Sequence, residues 1–292
     1  MRAIGSSCTG KITGVSHLGG PFDVYNERVM GIGMPDSPIL RIGLAMERPN
    51  LEMCLEVLEE KGWKYHARMG NKKGDGTTLT RFRTFHGVKF RDTPDFVLTP
   101  SKKERKAALV GELKLARYSD RSLWGAEFSD DIPEGYKVQA QFHCFFYDVP
   151  TCVVGVLFDV YNLPTIFLVE RDDARIRDLI RQSAVWWKSH VETQTPPPID
   201  ATDACATYLK HRALVEDMFR DATLEECQIA EYWAQHKEQL KLMVAKDKEY
   251  SNYFRDVIGG HSGISFGDGN KISCKENKHG TRTIRANIGG MA

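Results

Sequence analysis

Apolar residues recur at helical and strand periods through residues 45–192, in the order helix, β-meander, helix, two strands and helix. The most regular helical period lies within residues 43–65, where Pro49 suits a first turn and Gly62 suits the end. Its apolar stripe consists of Leu51, Cys54, Leu55 and Leu58. This order of elements predicts an α/β fold in which helices cover a mixed sheet.

Two strand candidates carry charged residues inside apolar runs. They are "DTPDFVL" at residues 92–98 and "ALVGELKLA" at residues 108–116. Because successive side chains of a strand point to opposite faces, Glu112 and Lys114 share one face. If the two strands pair, Asp95 of the first strand joins that face, and three ionisable side chains converge on one side of a sheet.

Turn-forming residues divide the rest of the chain. A polar, glycine-rich turn is predicted at residues 69–78, and Pro133 marks the start of a helix. Three prolines at residues 196–198 mark a boundary, so we expect a core domain over residues 1–198 and a C-terminal extension over residues 199–292. The extension combines a charged helix of roughly 50 Å with a basic tail that alternates like a β-hairpin.

Composition excludes several classes of protein. The chain of 292 residues is 41% hydrophobic and 27% charged, with a net charge of +1, so a nucleic-acid binder would need a local basic surface. No apolar run approaches the roughly 18 residues of a membrane span, and the N-terminus lacks the apolar segment of a signal peptide. The seven cysteines include no C-x-x-C pair, which argues for a reducing, cytoplasmic location and against structural zinc or an iron–sulfur cluster.

The charged strand residues have two interpretations. Burying Asp95 beside Glu112 costs several kcal/mol, and Lys114 offsets that cost only in part. A divalent cation with oxygen ligands, Mg²⁺ above all, would resolve the conflict, and a lysine beside it could act on a water or a phosphoryl group. The alternative is a structural salt bridge on an edge strand, which the E-x-K pair alone would favour.

Three further residues are candidates for the same site. Glu47 opens the helix of residues 43–65 and points toward its core side, unless it is simply an N-terminal glutamate favoured by the helix dipole. Tyr136 and Gln139 are three residues apart on the helix after Pro133 and therefore share a face. The alternative is that both residues simply belong to the surface of an amphipathic helix.

Motifs in a fixed order make the sequence resemble a known family. "TPD" followed by "ELK" looks like the PD-(D/E)XK nuclease signature, and the surrounding motifs resemble the YqaJ-type viral recombinase and lambda-exonuclease family. The similar segments, in order, are "IGSS" with "GVS…PFDVY", G-x-x-x-E at Gly43–Glu47, "TPD", "GELK", "IPEGYKVQAQFH", "LVERDDARI" and "VWWKSHVETQTPPP". The resemblance covers residues 4–198, and the tail is similar to tails appended in many members.

The resemblance implies a restriction-endonuclease-like core and a Mg²⁺-dependent exonuclease, with Mn²⁺ as a plausible substitute. Such an enzyme would degrade duplex DNA from its 5′ ends and leave a 3′ single strand for a single-strand annealing protein in phage-type recombination. The resemblance also implies a ring-shaped homo-oligomer, with a trimer suspected, in the bacterial host cytoplasm if the protein is phage-encoded.

The family's site residues map onto matching positions of this chain. Asp95 and Glu112 would bind the metal with the backbone carbonyl of Leu113, and Glu47 would be a further ligand, directly or through water. Lys114 would act on the attacking water, Gln139 would help to hold that water or Lys114, and Tyr136 would support the site from the same helical face. Ser7, in the turn matching the family's "IGGSD", would contact the terminal 5′-phosphate.

The chain departs from the family pattern near that turn. Cys8 stands where the family usually has an aspartate, and the family's upstream Trp and Arg have no clear counterpart; both departures concern the expected 5′-phosphate pocket. Phe96 stands where many members have glycine. The exposed-looking loop with Lys102, Lys103 and Arg105 could hold DNA phosphates without reading bases. Basic residues of the tail could do the same, namely Lys271, Lys275, Lys278, Arg282 and Arg285.

Other functions remain open at this point. Another PD-(D/E)XK enzyme, such as an endonuclease, would use the same three residues, whereas a Cas4-like nuclease needs four cysteines at cluster spacing. A non-catalytic DNA-binding or assembly protein on the same fold would tolerate the loss of Asp95, Glu112 or Lys114, and all three are present. His143 is interpreted as a packed or surface histidine, and the Trp186–Trp187 pair as core.

Overall fold

The computed structural model divides the chain into two compact units, Met1–Ala213 and Leu214–Ala292. The structure describes residues 3–33, 36–70, 79–159, 161–211 and 219–289. Most of the turn predicted at residues 69–78 lies outside the described residues. The domain boundary expected after residue 198 stays a prediction; helix α6, which follows it, contacts α2 within the first unit.

The first unit contains helices on both faces of a mixed sheet. Its helices are α1 (Ser6–Ile12), α2 (Pro21–Tyr25), α3 (Pro38–Glu60), α4 (Glu134–Tyr147), α5 (Asp173–Trp186) and α6 (Asp203–His211). Its strands are β1 (Ile4–Gly5), β2 (His66–Met69), β3 (Arg81–Phe85), β4 (Val88–Asp92), β5 (Phe96–Thr99), β6 (Leu109–Leu115), β7 (Thr151–Leu157) and β8 (Thr165–Glu170). Short π-helical turns, Asn26–Met30 and Trp187–Glu192, extend α2 and α5.

Strand β6 lies in the middle of the main sheet. The five strands have the order β2-β5-β6-β7-β8, and β6 pairs antiparallel with β5 and parallel with β7. A smaller sheet has the order β1-β4-β3. The predicted mixed α/β fold and the pairing of the two charged strands are therefore confirmed, while the interpretation of the E-x-K strand as an edge strand is wrong.

The two faces of β6 meet different helices. Val110 belongs to the apolar cluster that includes α4 and α5, whereas Leu113 belongs to the cluster beneath α3. Because side chains alternate along a strand, Glu112 shares the face of Val110 and points toward α4. A carboxylate on that face is buried, and it needs polar partners from the helix.

Helix α3 is longer than the sequence pattern predicts. It begins at Pro38, and the Ser37 hydroxyl accepts a hydrogen bond from the Leu40 N–H at 3.3 Å. Pro49 lies inside the helix rather than in its first turn, and Glu47 lies mid-helix rather than at its start, so both placements were wrong. The predicted end is confirmed, because Gly62 has a φ of 83° just after the last turn.

The second unit is a long helix with a small sheet. Helix α7 (Leu224–Ile258) has a capping box between Thr223 and Glu226, which confirms the predicted helix. The predicted hairpin is β10 (Asn270–Glu276) with β11 (Arg282–Asn287), and β9 (Gly263–Gly267) adds a third strand. No helix within the described residues is both long and apolar enough to span a membrane.

Candidate active site

Asp95 is held against β6 by two main-chain contacts. Its N–H donates to the Gly111 carbonyl at 3.1 Å, and its Oδ2 accepts from the Leu113 N–H at 2.8 Å. Phe96 lies opposite Gly111 in the strand register, and an added Cβ at Gly111 would overlap the Phe96 ring. The glycine therefore gives the ring its space, and the ring fixes the strand end that carries Asp95.

Glu112, Lys114 and Gln139 form a connected polar cluster. Lys114 Nζ donates to Glu112 Oε1 at 2.5 Å, and Gln139 Nε2 donates to the same oxygen at 2.8 Å. Lys114 Nζ also lies 3.4 Å from Gln139 Oε1. Glu112 is 6% exposed, so these contacts replace water around a buried charge. Glu112 and Lys114 therefore share one face, as strand alternation predicts, and Gln139 of α4 contacts both of them.

His143 completes the surroundings of Glu112, a position that sequence reasoning had left as a packed or surface histidine. Its Nε2 lies 3.0 Å from Glu112 Oε2, and its Nδ1 lies 2.8 Å from Asp92 Oδ1. The side chains of His143 and Asp92 are fully buried. His143 follows Gln139 by four residues on α4, so the shared helix face was the available signal. Nothing in the sequence indicated Asp92 as its second partner.

Tyr136 contacts the cluster through its ring. Lys114 Nζ lies 4.9 Å from the centre of the ring, close enough for a cation–π interaction. On its other sides the ring stacks on Trp124 at 5.4 Å and meets His17 edge-on at 5.0 Å. Tyr136 therefore holds the lysine from the helix face that it shares with Gln139, as predicted.

The surroundings shift the pKa values of Asp95 and Glu112 in opposite directions. Burial, together with the charge of Glu112, raises the pKa of Asp95 to about 7, and Lys114 offsets this only in part. Burial also acts to raise the pKa of Glu112, but Lys114 and His143 outweigh it and lower that pKa to about 2. Burial would lower the pKa of Lys114, yet the charges of Glu112 and Asp95 raise it. Oppositely shifted neighbours of this kind are frequent in catalytic sites.

The cluster opens into a cavity beneath α3. The cavity has a volume of about 480 Å³, and its lining includes Asp95, Glu112, Leu113, Lys114 and Tyr136. From α3, Glu47 and Asn50 complete the polar part of the lining. Asn50 was missed by sequence reasoning, although its Nδ2 donates to the Lys114 carbonyl at 3.3 Å. The charge of Glu47 contributes to the raised pKa of Asp95, so the three carboxylates share one electrostatic environment.

The donor atoms suit a hard cation. Within the described residues, no group of three or more His, Cys, Asp or Glu side chains is arranged to hold a metal ion. Mg²⁺, however, usually takes one or two protein carboxylates and completes its shell with waters and substrate phosphates. Asp95 and Glu112 meet that requirement, and burial followed by the charge of Glu112 raises the pKa of Asp95, a cost that a bound cation would offset.

The candidate DNA-binding residues lie apart from the cluster. Lys102, Lys103 and Arg105 are exposed in the loop between β5 and β6. This loop follows Thr99, four residues along the chain from Asp95, a strand length of about 14 Å. Ser7 is exposed on α1, outside the cavity lining. Their roles in DNA binding stay predictions, as do those of the basic tail residues in the second unit.

Comparisons with known proteins place exonucleases among the structural neighbours. No family model matches the chain, and no curated protein matches it. An alkaline exonuclease (LHK-Exo) from Laribacter hongkongensis is 15% identical with a TM-score of 0.46, over 71% of this chain and 91% of that one. A phage-related exonuclease from Haemophilus somnus 129PT is 12% identical with a TM-score of 0.42, over 66% and 95%. Both of these neighbours are exonucleases.

Proposed function

We propose that the chain is a metal-dependent DNA exonuclease that degrades duplex DNA from 5′ ends. The observation that carries this proposal is the convergence of Asp95, Glu112 and Lys114 at one cavity, with Lys114 bonded to Glu112 at 2.5 Å. Two carboxylates and a lysine at this spacing suit phosphodiester hydrolysis. The order of motifs around them supports the same family of enzymes.

Each residue of the cluster has a definite task in this proposal. Asp95 and Glu112 would hold Mg²⁺, which when bound supplies positive charge to the scissile phosphate. Lys114, kept protonated by its neighbours, would stabilise negative charge on the phosphate and orient the attacking water by donating a hydrogen bond to it. Gln139 and Tyr136 would keep the ammonium in place through the contacts described above.

The finer parts of the proposal rest on the motif resemblance. They are the 5′–3′ direction, the release of a 3′ single strand to an annealing protein, a role in phage-type recombination, and a ring-shaped homo-oligomer. The closest alternative is an endonuclease with the same catalytic residues. An exonuclease and an endonuclease would use the same catalytic residues, so they are distinguished by whether closed circular DNA is cut.

The test is digestion of linear duplex DNA labelled separately at its 5′ and 3′ ends, with Mg²⁺, Mn²⁺ or EDTA. Closed circular duplex DNA of the same sequence distinguishes an exonuclease from an endonuclease. Lys114→Ala should abolish hydrolysis. Lys64→Ala is the matched control, because Lys64 is exposed and makes a surface ion pair with Glu59 at 3.6 Å.

We expect Mg²⁺-dependent loss of the 5′ label first, from linear DNA alone, with full activity in Lys64→Ala. First loss of the 3′ label would reverse the proposed direction. Cutting of the closed circle would identify an endonuclease. DNA binding without hydrolysis in the presence of either metal ion would instead indicate a non-catalytic DNA-binding protein.

A further inference from the structure

Helix α7 exposes a seam of mostly apolar residues. Positions spaced alternately by four and three residues, the repeat of a coiled coil, run along one side of the helix. They are Ile229, Trp233, His236, Leu240, Met243, Asp247, Tyr250 and Phe254. The five apolar members from Ile229 to Tyr250 are 55% to 69% exposed, and Phe254 packs in part on the sheet cluster of its own unit. A helix with such a seam gains most of its stability by packing against a partner.

The seam is complementary to itself in the antiparallel direction. A two-fold axis between Lys241 and Leu242 places residues that are equidistant from it opposite each other. The facing pairs are Leu240 with Met243, His236 with Asp247, Trp233 with Tyr250 and Ile229 with Phe254. Every apolar residue of the seam therefore meets an apolar residue of the second copy.

The two polar positions of the seam face one another in the same register. His236 Nδ1 contacts the Tyr232 carbonyl at 2.8 Å, which leaves Nε2 for another partner. The Asp247 side chain has no hydrogen bond or ion pair within the described residues. Within one helix the two residues are about 16 Å apart along the axis, so they cannot pair with each other. A polar pair in an otherwise apolar seam sets register and orientation in coiled coils.

The charge of α7 argues against a role in gripping DNA. Acidic residues outnumber basic residues between Leu224 and Ile258, whereas DNA-binding helices present an excess of Lys and Arg. The helix face opposite the seam carries exposed acidic residues beside Leu242, namely Glu231, Glu238 and Glu249. A second helix of matching pattern is the occupant that fits.

We propose that α7 binds α7 of a second copy of this chain, antiparallel, with His236 of each copy facing Asp247 of the other. The pairing concerns a surface of the second unit and does not depend on the proposed nuclease activity. It links copies of the chain in pairs, whatever further assembly the first unit makes.

The first measurement is the mass of the full chain by sedimentation velocity across a range of concentrations. Leu240→Asp places a charge in the seam, and we expect it to halve the mass of the assembly. Leu242→Asp is the matched control, because Leu242 is equally exposed and lies on the opposite side of the helix. Unchanged mass in Leu240→Asp, or equal dissociation by both variants, would overturn the proposed surface.

Orientation is tested by disulfide formation in a Cys227→Ser background, which removes the exposed cysteine of α7. Trp233→Cys and Tyr250→Cys chains carry tags of different length. Each variant is oxidised alone, and the two are also oxidised together as a mixture. We expect a crosslink in the mixture between the two kinds of chain. Crosslinks between two Trp233→Cys chains would establish a parallel pair instead, since antiparallel pairing separates those residues by about 25 Å.

The polar pair provides an independent check on register. His236→Asp should weaken self-association by more than about tenfold, because it sets like charges opposite each other twice. The double exchange, His236→Asp with Asp247→His, should restore it. Failure of the double exchange to restore association would exclude the proposed register.

Discussion

The buried contact of Asp92, His143 and Glu112 should dominate the stability of the first unit. His143→Phe keeps a flat ring on α4 but removes both ring nitrogens. Asp92 then loses the partner of Oδ1, and its Oδ2 has no partner within the described residues. Glu112 loses the contact of its Oε2 with His143 Nε2. The substitution therefore leaves a fully buried carboxylate without a hydrogen bond.

The size of the effect follows from burial. Breaking a buried ion pair by removing one partner costs about 3–5 kcal/mol, against a total stability of about 5–15 kcal/mol for a protein domain. Replacing Asp92 as well, by asparagine, removes the orphaned charge. We therefore expect Asp92→Asn with His143→Phe to be less destabilised than the sum of the two single variants.

The pH dependence has a definite sign. Burial lowers the pKa of His143, but Asp92 and Glu112 outweigh it and raise that pKa to about 10, above its ordinary value of 6.5. Between pH 6.5 and 10 the folded chain holds a proton that the unfolded chain has lost. The stabilisation is complete below pH 6.5 and is lost as the pH rises through 10.

The assay is urea unfolding followed by tryptophan fluorescence, at pH values from 6 to 10. Four of the five tryptophans lie in the first unit, so the signal reports that unit. The difference in free energy of unfolding between the parent chain and the double variant should shrink toward pH 10. His211→Gln, at an exposed position of α6, is the control and should leave the profile unchanged. A difference that is constant with pH would refute the charged state of His143.

Three further predictions concern the same sheet. Asp95→Asn should raise the Tm measured by calorimetry in EDTA at pH 8, because the raised pKa makes ionised Asp95 costly to the fold. The expected rise is at least about 2–4 °C, the shift that corresponds to 1 kcal/mol. A lower Tm would contradict this reasoning, and the variant should also lose hydrolysis. Gly111→Ala should destabilise the fold by about 1–3 kcal/mol through overlap with the Phe96 ring, measured by urea unfolding, and an unchanged midpoint would exclude that packing. Tyr136→Phe should keep the rate of DNA hydrolysis within about threefold of the parent chain. Tyr136→Ala removes the ring beside Lys114 and should lower that rate by more than about tenfold. Equal rates for the two variants in a digestion assay would exclude a role for the ring.

Local pattern was sufficient to predict the strands of the site. Alternation placed Glu112 and Lys114 on one face, and helical spacing placed Tyr136 with Gln139, because both inferences need only the period of one element. Helix α3 escaped the same reasoning: Pro49 reads as a helix start, yet packing against β6 and the Ser37 cap extend the helix through it. Tertiary contacts here override a local preference.

Long-range partners could not be read from the pattern. Asp92 is 51 residues from His143 along the chain, and nothing local to either residue records their contact at 2.8 Å. Asn50 likewise lies 64 residues from the Lys114 carbonyl that it contacts. These partners are determined by which helix covers which face of the sheet, a property of the assembled layers rather than of any one segment.

The location of Glu112 explains why the site needs so many of these partners. A charge on the middle strand of a sheet lies far from water, so a single lysine leaves it incompletely satisfied. His143 and Gln139 hold one side of the carboxylate from α4, and Lys114 holds it from the cavity side. Glu112 is thereby kept ionised. The carboxylate of Asp95 accepts a hydrogen bond from the Leu113 N–H alone among the described contacts, and its pKa is raised to about 7. Both carboxylates line the cavity, and Asp95 has fewer hydrogen-bond partners than Glu112, so an incoming cation would stabilise ionised Asp95 the more.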